Sequence, residues 1–331
     1  MNTFLWTHNY RQKFEGEINM GPISVALNGV FPLTVYMLSG VLVRRLNWMD
    51  DLALEKLNRL VFKLFLPILI ALNIINSEFT KFPSIIEILF PAVAVVITFL
   101  IAWISFSKSS FPVKQKGVLI QSAFRSNYAL FAVPLTTSII GGKGSGITEI
   151  LIAIIIPIYN ILAVIALSYF ANQTADLKKV IVNIVKNPLI IASIVGIIIK
   201  TSEFTIPTLI LNPLSAMGKV ATPVALMVLG SQFKFSDTKS LIKPLTLGCS
   251  LRLIIVPTIW VVIAIILGFR GETLVTYLSI FGSPVAVSSY TMSAQMGADD
   301  TLAGQILVFT SILSIFTLFI GIVLLKNFNL F

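Results

Sequence analysis

Two tracts of the chain set a proline among hydroxyl, amide and aromatic side chains inside otherwise apolar sequence. The first, 117–140, carries Arg125, Asn127, Tyr128, Pro134, Thr136, Thr137 and Ser138. The second, 272–296, carries Ser283, Pro284, Ser288, Ser289, Tyr290 and Thr291. A mid-helix proline removes one backbone hydrogen bond and crowds the preceding turn. Within lipid the freed carbonyls need other partners, so a break is tolerated where it faces protein or a wet cavity. The chemistry on offer is therefore non-covalent, with half-helix ends and hydroxyls aimed at an ion or small polar solute. Any single hydroxyl could equally bond back to its own helix, so the matched prolines are the stronger signal.

Charges inside apolar segments narrow the solute. Lys63, Arg125, Lys219 and Arg252 all fall within such segments, while the candidate acids, Glu87 and Glu149, stand near segment starts. Ionisable groups at depth are costly and tend to face a bundle interior or a pathway. The surplus is positive, which favours an anion such as a carboxylate. Arg125 precedes Pro134 by nine residues, so its helix would carry it toward the break. A guanidinium grips a carboxylate with two parallel bonds. Lys63, Lys219 and Arg252 are candidate supporting cations, although the two lysines can also snorkel to a surface. No Asp or Glu stands near either proline, so a coupling proton or cation has no obvious carboxylate to use.

The elements that must position these residues follow from composition. The chain has 331 residues, 56% hydrophobic and only 11% charged, with mean hydropathy +0.94. That excludes an ordinary water-soluble enzyme. One cysteine, Cys249, and one histidine, His8, leave no disulfide framework, metal cluster or histidine catalysis, and no cofactor is expected. Ten apolar segments, at 23–43, 57–76, 84–106, 117–140, 149–170, 188–200, 212–233, 243–268, 272–296 and 302–325, predict an all-α polytopic membrane protein. Residues 1–22 form a polar tail without the order of a signal peptide, and Met20 offers an alternative start. Residues 326–331 form a short C-terminal tail, and the amphipathic stretch 171–187 is the longest connection.

The net charge of +10 is read as orientation rather than as nucleic-acid binding. The odd-numbered connections up to the seventh hold 11 cations, and the even-numbered ones hold 4 (Lys81, Lys143, Lys200 and Arg270). The richer set belongs in the cytoplasm, which puts both termini outside the plasma membrane. An internal repeat sharpens the topology. Pro32, Gly40, Lys63 and Pro67 recur as Pro188, Gly196, Lys219 and Pro223, at a constant offset of 156. Pro134 and Pro284 match at an offset of 150. Five spans per half force the halves, 23–170 and 188–325, to insert with opposite orientations.

These residues resemble the auxin efflux carrier family, whose bacterial members include malate and malonate permeases. The opening tract from Pro32 through Gly40, Arg44, Arg45 and Leu57 to Pro67 carries the likeness. So do Lys186-Asn187-Pro188, Thr222-Pro223-Val224-Ala225-Leu226 with Gly230, and Ser283-Pro284-Val285-Ala286 through Gly297. The resemblance implies ten helices in two inverted repeats, with the fourth and ninth broken at prolines and crossing at the substrate site. It also implies a secondary transporter, moving a small organic anion by alternating access. One departure stands out: where the family has two glycines before the fourth-span proline, this chain has Ala129 and Ala132. A sodium-coupled bile-acid-type symporter and a non-transporting receptor on the same fold are the alternatives. The expected partners are the anion and the bilayer, with a second copy of the chain as a further candidate.

Overall fold

The computed structural model describes residues 22–76, 83–128, 135–136, 147–171, 181–182, 185–202, 206–232 and 240–331. Helices α1 (Pro22–Arg45), α2 (Asp51–Ile75), α3 (Ile85–Ser107), α4 (Val113–Phe124) and α5 (Ile147–Ala171) come first. Helices α6 (Pro188–Thr201), α7 (Thr208–Gln232), α8 (Ile242–Ile266), α9 (Gly271–Gly282), α10 (Val287–Gln295) and α11 (Asp300–Asn327) follow. Six helices among the described residues are long and apolar enough to cross a membrane: α2, α3, α5, α7, α8 and α11. Helices α4, α9 and α10, with 12, 12 and 9 residues, are each too short to cross alone. Large apolar side chains such as Ile85, Ile101, Leu209 and Ile266 are exposed on the outer surface, as a lipid solvent requires.

Local sequence explains the helix starts. Asp50 caps α2 by accepting from the Ala53 amide, and Ser84 and Glu87 form a reciprocal capping box at α3. Asn187 accepts from the amides of Leu189 and Ile190, with Pro188 at the first helical position of α6. Two helices widen into a π turn, at Val61–Phe65 in α2 and Leu251–Ile255 in α8. Each π turn lies just before a proline, Pro67 or Pro257, which cannot supply the amide of a regular turn.

Packing follows small residues. A side chain on Gly40 in α1 would collide with the Met227 carbonyl of α7, and one on Gly230 would collide with the Met37 carbonyl. The two backbones therefore touch, as small residues permit between membrane helices. Gly196 of α6 lies against Ala71 and Ile74 of α2 in the same manner. Elsewhere α3 packs on α4, α4 on α5, α8 on α9, α10 on α11, and α11 on α1.

The ends of the helices sort onto two faces. The Asp299 amide donates to the Lys114 carbonyl at 3.2 Å, and Gln115 Nε2 donates to Asp299 Oδ2 at 3.0 Å. These bonds bring the α3–α4 and α10–α11 connections together. At the opposite face, Thr273 Oγ1 donates to Glu87 Oε1 at 2.7 Å, and the Gly271 amide donates to the Leu330 carbonyl at 2.8 Å. Lys200 Nζ donates to the Ile75 carbonyl at 3.2 Å on that same face.

Candidate functional site

Span nine breaks where its proline predicts. Helix α9 ends at Gly282, Ser283 and Ala286 are extended, and α10 starts at Val287. Span four breaks earlier than its proline. Helix α4 ends at Phe124, ten residues before Pro134, and Arg125 leaves it with φ −87° and ψ 109°. The physical reason is the partner strand. Ser126 pairs antiparallel with Val285, and the Asn127 amide donates to the Pro284 carbonyl at 2.7 Å. The Val285 amide, freed from its helix, donates to Thr310 Oγ1 of α11 at 3.2 Å. The two extended segments thus satisfy each other's backbone at the point where they cross. Pro134, Thr137 and Ser138 lie outside the described residues, while Leu135 and Thr136 lie within them.

Arg125 moves with the break, from approaching it along a helix to standing in it. It is only 2% exposed. Its Nη2 donates to Asn160 Oδ1 of α5 at 2.7 Å and to Ser288 Oγ of α10 at 2.8 Å, while Nη1 lies 2.6 Å from Met292 Sδ. All three partners are neutral. Among the described residues, both ion pairs, Arg44–Asp51 and Arg59–Glu55, are on the surface. Glu87, one of the candidate acids, is bonded to Ser84 and Thr273 at the opposite end of its own span.

A cavity of about 70 Å³ opens beside this cation. Arg125, Ser126 and Asn127 line one side, Tyr159 and Asn160 another, and Ala286 and Ser288 a third. Asn127 Nδ2 is buried there without a hydrogen-bond partner among the described residues. The volume is well below the ~300–1,000 Å³ common for ligand pockets.

The other expected residues fall into three places. Ser283 and Pro284 belong to the extended crossing segment between α9 and α10. Tyr128 donates to the Thr148 carbonyl at 2.8 Å, and Thr136 joins Thr148 and Thr276 in a buried hydroxyl cluster next to the crossing. Ser289 and Tyr290 are buried on α10 but do not line the cavity. Of the supporting cations, Lys63 and Lys219 are exposed on their helices and away from the cavity. Arg252 is fully buried, with its guanidinium held by backbone carbonyls. Sequence reasoning missed Asn73, Tyr159, Asn160 and Thr222, all at the cavity. The Tyr159-Asn160 pair inside the apolar run after Pro157 was the available signal, since polar groups in such a run are costly unless used.

Apolar helices long enough to cross a membrane, with two further spans broken around a buried cation, define a multi-pass membrane protein. A family model described as "Membrane transport protein" matches residues 25–322, and the chain belongs to that family. This is the auxin efflux carrier family that the residues resemble, so the protein is a membrane transporter and not an enzyme. The chain has no significant match among curated proteins.

Proposed function

We propose that the protein is a secondary carrier moving a small organic anion, a mono- or dicarboxylate, by alternating access around the helix crossing. The observation that carries this is Arg125, a buried guanidinium on the cavity wall with no carboxylate partner among the described residues. A buried charge without a counter-charge is expensive. A carboxylate entering the cavity would supply that charge, with Asn127 Nδ2 as a second donor.

Two inverted five-helix halves, 23–170 and 188–325, fit the packing. Gly40 meets Met227, and Gly196 meets Ala71, so each member of one contact is its counterpart in the other plus or minus 156. The pairing of α1 with α7 has its counterpart in α6 with α2, and that of α3 with α4 in α8 with α9. The carrier works in the plasma membrane, with the basic α3–α4 connection cytoplasmic and the C-terminus outside.

The test is uptake of a panel of labelled mono- and dicarboxylates into proteoliposomes, with and without sodium. Uptake is expected for at least one acid and is lost in Arg125→Gln. Absence of flux across the panel, or undiminished flux in Arg125→Gln, overturns the reading. Ligand binding without flux would mark a receptor instead. Strict sodium dependence would favour the symporter alternative, which the absence of an Asp or Glu near either proline in the sequence disfavours.

A further inference from the structure

The crossing creates an electrostatic problem that Arg125 does not solve. Helix α4 enters from one face of the protein and α9 from the other, and both present their C-terminal ends to the crossing. A helix C-terminus carries roughly half a negative charge, concentrated on its unbonded carbonyls. Two such ends face each other in the interior of the protein.

The carbonyls at issue can be named. In an unbroken helix the Ala123 carbonyl would accept from the amide of residue 127, but Asn127 donates to Pro284 instead. The Ile280 carbonyl would accept from residue 284, which is proline and has no amide hydrogen. The Phe281 carbonyl would accept from residue 285, but the Val285 amide is committed to Thr310. All three orphaned carbonyls are taken by one side chain. Arg252 Nη1 donates to Ala123 at 3.2 Å, and Nη2 donates to Ile280 at 3.0 Å and to Phe281 at shorter range. Arg252 is 0% exposed and sits in the π turn of α8, which aims it across α4 and α9 together.

We propose that Arg252 is the positioning residue of the crossing, a fixed positive charge that offsets the two converging helix ends and so leaves the charge of Arg125 free for the anion. The two half-charges are offset by Arg252 alone, and the α10 N-terminus at Val287 adds about half a positive charge, so nothing in this balance draws on Arg125. The second guanidinium is then the surplus. Without Arg252, the helix ends would draw on the field of Arg125, and the cavity would lose its preference for anions. The proposal concerns the same crossing as the carrier reading and gives that reading its charge balance, but it can be tested without any substrate.

The probe is a thiol on the cavity wall. In a Cys249→Ala background, Ser288→Cys puts a sulfur where Ser288 Oγ now accepts from Arg125. The thiolate is the reactive form, so its labelling rate by a small neutral methanethiosulfonate at fixed neutral pH reports the local positive potential. Replacing Arg252 by Gln is expected to slow labelling by about tenfold, as one unit of thiol acidity would do. Arg252→Lys keeps the charge but loses the fork, so it should restore the rate while still lowering the melting temperature. A purely structural role predicts that Lys and Gln slow labelling alike, or that neither does while both melt early. Either outcome overturns the proposal. If Arg252→Gln does not fold, the Lys variant still decides, because labelling as slow as in an Arg125→Gln control would refute it. Failure of anion uptake in proteoliposomes would sink the carrier reading without touching this result.

Discussion

The two buried arginines should respond to the same substitution in opposite ways. In Arg125→Met, the partners left behind are an amide oxygen, a hydroxyl and a thioether around a cavity large enough to admit water. The bonds lost are worth about 1.5–3 kcal/mol each, because the donor is charged. Against that, a buried charge without a counter-ion is removed, and its desolvation cost is several kcal/mol. The terms nearly cancel, so folding stability should change by no more than about 2 kcal/mol in either direction. In Arg252→Met, three buried carbonyls at the ends of α4 and α9 lose their donor together. At about 1–3 kcal/mol for each orphaned group, the loss is several kcal/mol with no offsetting gain, since helix ends were balancing that charge. The assay is thermal melting of the two purified variants in one detergent, beside the parent. Arg252→Met should melt far below Arg125→Met, which should stay near the parent while losing anion uptake. Equal destabilisation of both, or a stable Arg252→Met, would refute the charge balance.

Other predictions follow from the same contacts. Asn160→Asp puts a carboxylate where Asn160 Oδ1 now lies, 2.7 Å from Arg125 Nη2. This internal anion should raise the melting temperature and raise the KM for anion uptake by at least about tenfold, given that close buried charge pairs couple by roughly 1.5–7 kcal/mol. Gly40→Val drives a side chain into the Met227 carbonyl, so α1 and α7 must separate. The expected loss is about 1–3 kcal/mol, read as early melting, and Gly196→Val, where an added Cβ would stand 3.1 Å from the Ala71 carbonyl, should lose less. Sidedness is checked with single cysteines in a Cys249→Ala background, labelled on intact cells with an impermeant reagent. Cysteines in place of Gly268 and Asn329 should react, and those in place of Ser109 and Gly297 should not.

Much of this architecture was legible because lipid imposes rules that sequence cannot evade. Apolar runs and the proline at 284 each have one physical meaning in a membrane. Asn187-Pro188 marks a helix start for the same kind of local reason. The position of the fourth-span break was not legible. Pro134 drew attention as the residue that cannot continue a helix, yet α4 ends at Phe124 because a partner 160 residues away offers a carbonyl at Pro284. No local propensity encodes that bond. Asn160 was readable as a polar group in an apolar run, but its distance to Arg125 was not.

By itself, the sequence determined that the chain is a membrane protein of the transporter family, with arginines inside apolar runs. Only the tertiary structure divided the labour among those cations. Arg125 and Arg252 look alike in sequence, each a guanidinium inside an apolar run. One is surrounded by neutral side chains at a cavity, and the other by carbonyls from two helix ends. A buried charge takes its role from what surrounds it, and helices from distant parts of the chain supply those surroundings.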